Sequence, residues 1–175
     1  ATYNGSSAGT VGHGLSSTPE LIIQKSRSTA STYWWVGTTV IDGSMDFFQL
    51  NDTNAKSNSS YSVPTSSVFS NVTFSGSTSN VAYCFHSVEG FSKIGSFTGN
   101  GNANGPFINC GFRPAWVLLK NANDTEYWTL VDNKRLGYNE VNSVLSPNAN
   151  GAEYSASGGG FDLVSNGFKV RGTSN

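Results

Sequence analysis

The sequence predicts an all-β protein built from antiparallel β-sandwich or jelly-roll modules in tandem, of the lectin-like kind and without a substantial helix. No stretch keeps the i, i+3, i+4, i+7 spacing of apolar residues that an amphipathic helix needs. Short runs rich in Val, Ile, Thr, Phe, Tyr and Trp alternate instead with Gly, Ser, Asn and Pro. Many short strands joined by frequent turns favour a sandwich or a jelly roll.

An internal repeat predicts that there are two modules. Three landmarks of the first half return in the same order in the second half, at residues 3–5 and 97–99, 19–25 and 114–120, and 33–36 and 127–130. The offset is steady, since 114 − 19 gives 95 and 128 − 34 gives 94. A tail at residues 72–76 also matches residues 168–172. A repeat of this length indicates two homologous β-modules, at residues 1–94 and 95–175.

The second copy is expected to lack its last strand. After the shared tail the first copy continues into an apolar run at residues 80–85, which has no counterpart before residue 175. Loss of that strand would leave a sheet edge open. We therefore expect either a longer polypeptide or a neighbouring subunit to supply it.

Individual strands are predicted where β-branched and aromatic residues concentrate between turn signals. In the first module these are residues 2–4, 20–26, 33–38, 47–50, 68–70, 72–75 and 81–87. In the second module they are residues 95–98, 115–121, 127–132, 161–164 and 168–171.

Alignment of the two copies predicts which strand faces are buried, because alternate residues of a strand face opposite sides. Large apolar residues that recur at the same position in both copies are expected to form the core. This predicted core consists of Trp34, Val36, Trp128 and Leu130, together with Leu21, Ile23, Trp116 and Leu118.

The opposite face carries candidate contact residues. Tyr33 and Trp35 in the first copy and Tyr127 in the second are predicted to point outward. Exposed aromatic side chains offer large, rigid contact area and often mark binding sites. The alternative is that a neighbouring strand or loop covers them. Asp132, at the end of the strand at 127–132, is the fourth candidate, because its counterpart Thr38 is not acidic.

The composition argues against several classes of function. Only 12% of residues are charged and the formal net charge is −1, so no basic patch for nucleic acid is expected. No apolar run approaches the roughly 20 residues that cross a bilayer, so membrane insertion is not expected. Cys84 and Cys110 have neither a metal-ligand nor a redox spacing. They are expected to be free, mostly buried thiols rather than a disulfide.

Catalytic residues, metals and cofactors are not expected. His13 and His86 are not accompanied by the closely spaced ligands of a metal site, and no serine lies in a nucleophile elbow. Paired carboxylates could cleave a glycan, and Asp132, Asp124 and Glu126 are the candidates. Aspartates in Ser- and Asn-rich loops are ordinary turn formers. The chain is therefore predicted not to be an enzyme.

Four runs of the second copy carry a family resemblance. They are Phe97-Thr98-Gly99-Asn100-Gly101, the run GFRPAWVLLK at residues 111–120, Trp128-x-Leu130-x-Asp132, and Leu163-x-Ser165-Asn166-Gly167-Phe168. These runs resemble a repeat module found mainly in tail-fibre and other virion proteins of marine and cyanobacterial phages, largely described as a domain of unknown function. The resemblance implies a β-sandwich of a virion surface appendage with a role in structure or host attachment, and it implies no catalytic residues.

The expected function is therefore that of a structural and adhesive protein of a tailed bacteriophage, a tail fibre or another appendage on the virion surface. The expected partners are other virion subunits, in a homo-oligomer such as a trimer, and a host surface glycan bound with avidity. Three alternatives stay open: a capsid decoration protein, a glycan-depolymerising enzyme and a lectin.

Overall fold

The computed structural model describes residues 1–4, 7–156 and 159–172, and the regular structure of these residues is entirely β. Gly5, part of the repeat landmark at 3–5, lies outside them. Every strand pair is antiparallel, which confirms the predicted antiparallel all-β class. The described residues contain no helix that is long and apolar enough to span a membrane.

The chain divides into two compact units. Unit 1 comprises the described residues of Ala1–Ser87 and the short segment Ala122–Thr125. Unit 2 comprises Val88–Asn121 and the described residues from Glu126 onward.

Unit 1 contains a six-stranded sheet and a two-stranded sheet. In spatial order the six-stranded sheet consists of β1 (Thr2–Tyr3), β8 (Asn80–Phe85), β3 (Leu21–Ser26), β4 (Trp35–Thr38), β5 (Asp46–Gln49) and β6 (Ser57–Asn58). The two-stranded sheet pairs β2 (Thr10–Gly12) with β7 (Val68–Ser70).

The core of unit 1 lies on the face of the sheet that carries Ile22. Two clusters form it, the first of Tyr3, Ile22, Phe69 and Ala82, the second of Met45, Phe47, Val72 and Phe74. Gly37 of β4 lies on the same face as its partner Phe47, and a side chain there would collide with Met45 and Phe47. Glycine at this position therefore lets two large side chains pack directly onto the strand.

Unit 2 contains three smaller sheets. They are β10 (Trp116–Leu119) with β11 (Thr129–Asp132), β12 (Ser143–Val144) with β13 (Tyr154–Ser155), and β14 (Phe161–Val164) with β15 (Gly167–Val170) and β9 (Phe107–Asn109). Bridges from Leu130 to Leu145 and from Val141 to Phe161 link them. The core cluster consists of Val131, Val141, Val144, Phe161, Leu163, Phe168 and Val170.

The predicted core faces are corrected in both units. In β3 the buried residues are Ile22, Gln24 and Ser26, whereas Leu21 and Ile23 are only half-buried. In β10 the side chains that pack on the core are Val117 and Leu119, and Trp116 is 59% exposed. Leu118, Leu130 and Trp34 are half-buried. Val36 and Trp128 are buried as predicted. The prediction failed because these strands carry apolar residues on both faces, so alternation alone could not identify the inner one.

Several predicted elements also differ. The residues at 72–75 and 95–98 form no strand, although Val72 and Phe74 are buried. The short strands β2, β6, β9, β12 and β13 were not predicted, because two or three residues carry too little periodic signal. Cys84 and Cys110 are free and half-buried, and burial raises the pKa of both thiols.

Candidate functional site

A row of four aromatic rings runs along unit 1 from the surface into the core. The ring centroids are 5.9 Å apart from Tyr33 to Trp35, 5.8 Å from Trp35 to Phe47, and 5.6 Å from Phe47 to Tyr61. Each pair meets edge to face, the arrangement that aromatic quadrupoles favour. Phe47 is buried, and Tyr33 at the outer end is 42% exposed. We call this set the aromatic row.

Beside the aromatic row lies a depression of about 300 Å³. Its lining consists of Trp35, Phe47, Phe48, Gln49, Asn54, Ala55 and Ser57. The Nδ2 group of Asn54 donates a hydrogen bond of 2.8 Å to Oε1 of Gln49. The lining thus combines apolar rings with side-chain amides and a hydroxyl, and it includes no charged residue. We call it the Trp35 depression.

One lysine lies between two aspartates near this depression. Lys56 follows the lining residue Ala55, and its Nζ lies 2.9 Å from Oδ1 of the fully buried Asp46 and 3.2 Å from Oδ2 of Asp42. The hydrogen bond to Asp46 raises the pKa of Lys56. The hydroxyl and the backbone N–H of Ser44 lower the pKa of Asp42 to about 2. Lys56 therefore bridges the carboxyl groups of Asp42 and Asp46 beside the depression.

The structure places the four predicted contact residues in different surroundings. Tyr33 and Tyr127 are exposed, Tyr127 by 54% of its surface. Trp35 was predicted to point outward, but it is half-buried and packs against the cluster that contains Phe47. The correction has a geometric cause, since Trp35 shares the core face with Gly37 and the ring of Phe47 packs against it. Tyr33 and Trp35 belong to unit 1, whereas Tyr127 and Asp132 belong to unit 2.

Asp132 is engaged in a turn. Its Oδ1 accepts hydrogen bonds from the backbone N–H groups of Lys134 and Arg135, and its Oδ2 lies 2.6 Å from Nε of Arg135. These donors, with the side chain of Arg135 first, lower the pKa of Asp132. Arg135 also pairs with Glu153 at 2.7 Å and donates to the carbonyl of Leu130. A carboxylate held in this way stabilises the turn that follows β11.

A second depression in unit 1, of about 320 Å³, includes Glu20 and His86 in its lining. The carboxylate of Glu20 accepts a hydrogen bond from the backbone N–H of Ser87, and Nδ1 of His86 lies 2.8 Å from the carbonyl oxygen of Ser87. Both side chains are therefore tied to the same backbone segment. None of the carboxylates considered for glycan cleavage lines this depression or the Trp35 depression.

The sequence prediction missed Gln49, Asn54 and Trp116. The two amides reach the Trp35 depression from the end of β5 and the loop that follows it, and no sequence pattern relates them to Trp35. The exposure of Trp116 could have been predicted from its neighbours, because it lies opposite Asp132 in the ladder and charged residues are rarely buried.

Comparison with known proteins yields one match. The model of a family described as a domain of unknown function, DUF7483, matches residues 1–175. No curated protein and no solved structure matches the chain significantly.

Proposed function

The chain belongs to the DUF7483 family, whose function is unknown, and we propose that this protein is a structural and adhesive component of a tailed-bacteriophage virion, a tail fibre or another surface appendage. The proposed role is non-enzymatic. It is supported by the resemblance of the runs at residues 97–101, 111–120 and 163–168 to a phage virion module and by the all-β fold. The adhesive part is carried by the Trp35 depression. Repetition of such units in a homo-oligomer, for example a trimer, would multiply weak contacts.

The same proposal treats units 1 and 2 as copies of one module, which suits an appendage assembled from repeats. Strand β3 pairs with β4 so that Leu21 faces Thr38 and Gln24 faces Trp35. Strand β10 pairs with β11 so that Trp116 faces Asp132 and Leu119 faces Thr129. Adding the repeat offset of 95 to the residues of β3, and of 94 to those of β4, gives the paired residues of β10 and β11, since 21 + 95 is 116 and 38 + 94 is 132.

Further pairs support this equivalence. Strands β5 and β6 pair Asp46 with Asn58, and β12 and β13 pair Ser143 with Ser155, so both are offset by 97 (143 − 46 and 155 − 58). The backbone N–H of Trp34 donates to Oδ1 of Asn51, just as that of Trp128 donates to Oδ1 of Asn148. These contacts lie far apart in the sequence, so their coincidence favours a common module.

The packing of one phenylalanine in each unit also supports the proposed equivalence, and it changes one position of the sequence alignment. Phe69 pairs with Val11 in unit 1, and Phe168 pairs with Ile108 in unit 2. The ring of Phe69 meets Tyr3 edge-on at 6.3 Å, and the ring of Phe168 meets Phe97 edge-on at 6.2 Å. The strand pairing and ring contacts therefore favour Phe69, rather than the Val72 of the sequence alignment, as the counterpart of Phe168 in the proposed module.

The side-chain sizes at one pair of neighbouring core positions differ between the two units, but the differences compensate. Gly37 faces Phe47 in unit 1. Because Leu130 faces Leu145, the corresponding neighbours in unit 2 are Val131 and Val144, both buried in the core. A small and a large residue in one unit thus correspond to two of medium size in the other, which is how close-packed cores keep their total volume.

The chemistry of the Trp35 depression favours a neutral sugar as ligand. Ligand sites are usually concave and apolar, with a few polar groups that orient the ligand. The side chains of Gln49 and Asn54 each provide both donors and an acceptor, which match the hydroxyl groups of a sugar. The ring of Trp35 provides an apolar surface for the opposite face of the sugar. The lack of charged residues in the lining disfavours acidic glycans.

Removing the side chain of Asn54 from the lining of the Trp35 depression, or the Tyr33 ring that packs against Trp35, is expected to weaken sugar binding without unfolding the protein. Asn54→Ala and Tyr33→Ala each remove an exposed side chain, so we expect each to raise the Kd for a bound neutral oligosaccharide by about tenfold, equivalent to about 1.4 kcal/mol. The measurement is binding to an array of neutral glucose, galactose and mannose oligosaccharides, followed by titration of the best ligand. The far-ultraviolet circular dichroism should stay unchanged.

Tyr138→Ala provides the matched control, because Tyr138 is 70% exposed and lies in unit 2. Its Kd should equal that of the unchanged protein. Equal weakening by Tyr138→Ala, or no binding by any array member, would remove the support for glycan attachment. Release of shortened oligosaccharides during the titration would favour the depolymerase instead.

The place of the protein on the particle tests the proposed function as a whole. Gold-labelled antibodies against the purified chain are expected to mark the tail or its fibres on particles of the phage that encodes it. Labelling at the icosahedral positions of the head would replace the tail fibre with a capsid decoration protein. Intact particles that carry no label, while purified chain on the same grid is labelled, would contradict a virion role.

A further inference from the structure

Strand β10 of unit 2 has a partner on only one edge. Its counterpart β3 lies between β4 and β8 and pairs with both. Within residues 1–4, 7–156 and 159–172, β10 pairs only with β11. The edge of β10 that corresponds to the β8 side of β3 is therefore open in the described structure. We call it the open edge.

The backbone of β10 identifies the residues that form the open edge. The N–H of Asn133 donates to the carbonyl of Ala115, so Val117 and Leu119, at alternate positions, bond towards β11. Trp116 and Leu118 consequently direct their N–H and C=O groups away from β11. Among the described residues these groups have no partner.

The side chains beside the open edge are more exposed than their counterparts in unit 1. Ile22 and Gln24 are fully buried on the core face of the sheet, whereas the corresponding Val117 and Leu119 are half-buried. Tyr3 is 9% exposed, whereas the corresponding Phe97 is 39% exposed. These differences in exposure all occur at positions that β1 and β8 shield from solvent in unit 1. The absence of a strand beside β10 therefore accounts for all of them.

Unit 1 also indicates what kind of segment provides that cover. In β8, Ala82 and Cys84 face Gln24 and Ile22 across the ladder and lie on the core side. Tyr83 and Phe85 lie on the outer side, opposite Ile23 and Leu21. A segment of this pattern has small apolar residues on one face and aromatic residues on the other.

We propose that the open edge of β10 binds an extended segment of a different protein, not of a second copy of this chain, and that the segment adds as an antiparallel strand in the place that β8 takes beside β3. The segment carries small apolar side chains towards Val117 and Leu119 and aromatic side chains on the side of Trp116. Its backbone bonds to Trp116 and Leu118, and its side chains give specificity, as in other strand additions. The inference rests on the equivalence of the two units, and it does not depend on the phage role.

The direct test is a peptide with the sequence of residues 79–86, made with Cys84→Ala to prevent oxidation and carrying a fluorescent label. Added to the full chain, it should bind saturably with a stoichiometry of one. At saturation, amide exchange at Trp116 and Leu118 should slow by about tenfold or more. The emission of Trp116 should shift to shorter wavelength as the ring loses contact with water.

Two methylated peptides supply the control. The N–H of Ala82 bonds to Ala1 in unit 1, so residues 81, 83 and 85 are those whose backbone faces β3. A peptide that is N-methylated at 81, 83 and 85 should lose binding, because it cannot donate to β10. A peptide N-methylated at 82 and 84 changes only its far edge and should bind like the parent.

Other outcomes would overturn the inference. They are absence of binding, equal binding by both methylated peptides, or slowed exchange in β3 instead of β10, which would indicate displacement of β8. Sedimentation of the chain alone adds a further check. If the free protein is a dimer in which Trp116 and Leu118 are already protected, a second copy covers the open edge and no other polypeptide is needed.

Discussion

Phe69→Ala is expected to lower the free energy of unfolding of unit 1 by about 3–5 kcal/mol, the usual loss when a buried phenylalanine is truncated. Phe69 is 1% exposed and packs with Tyr3, Ile22 and Ala82, which come from β1, β3 and β8. Its ring thus holds the two-stranded sheet of β2 and β7 against the six-stranded sheet. Truncation leaves a cavity among rigid strands, and strands paired on both edges have little freedom to close it.

The measurement is urea denaturation followed by amide exchange in β3 and β8, which reports on unit 1 specifically. Phe91→Ala is the matched control, because the same atoms are removed from a side chain that is 81% exposed. Its effect should stay within about 0.5 kcal/mol, as at most surface positions. A Phe69→Ala protein as stable as the Phe91→Ala protein would contradict the core described for unit 1.

The fold class followed from the sequence, but the orientation of the strands did not. Runs such as Trp116-Val117-Leu118-Leu119 contain no polar residue, so their pattern is equally compatible with either face pointing inward. In the folded chain Gly37 and Val131 occupy the inner positions, and Gly37 is small because Met45 and Phe47 pack over it. Large residues at matching positions of the proposed copies therefore did not identify the inner face, although Val36 and Trp128 are buried.

Among the candidate contact residues, only the exposure of the two tyrosines was predictable. Tyr33 and Tyr127 precede their strands and are exposed, as expected. Gln49 and Asn54 become part of the depression because the chain turns after β5, which depends on loop geometry that no local pattern encodes. Burial of Gln24 was also unpredictable, since a polar residue is rarely fully buried unless distant partners satisfy it.

Gln24→Ala is expected to destabilise unit 1 by about 2–5 kcal/mol, because two buried donors would lose their acceptor. Gln24 is fully buried, and its Oε1 accepts hydrogen bonds from the hydroxyl of Tyr3 at 3.0 Å and from the backbone N–H of Val72 at 2.9 Å. Burial raises the pKa of Tyr3, so its hydroxyl remains a donor well into alkaline solution. One side chain thus connects β1, β3 and the segment after β7. Under the proposed equivalence of the two units, the corresponding residue is Leu119, whose apolar side chain cannot form these hydrogen bonds.

A double-mutant cycle separates the hydrogen bonds from the loss of packing. Tyr3→Phe keeps the ring and removes one donor, so it should cost only about 1 kcal/mol while Val72 retains its bond. In the Gln24→Ala background the same change should be nearly neutral or stabilising, because the donor that it removes is already unsatisfied. The two substitutions must therefore be strongly non-additive in urea denaturation. Additive losses would mean that Gln24 stabilises unit 1 by volume alone. In that case an apolar residue such as leucine, the residue at 119 in unit 2, would serve equally well, and Gln24→Leu should then match the stability of the unchanged protein.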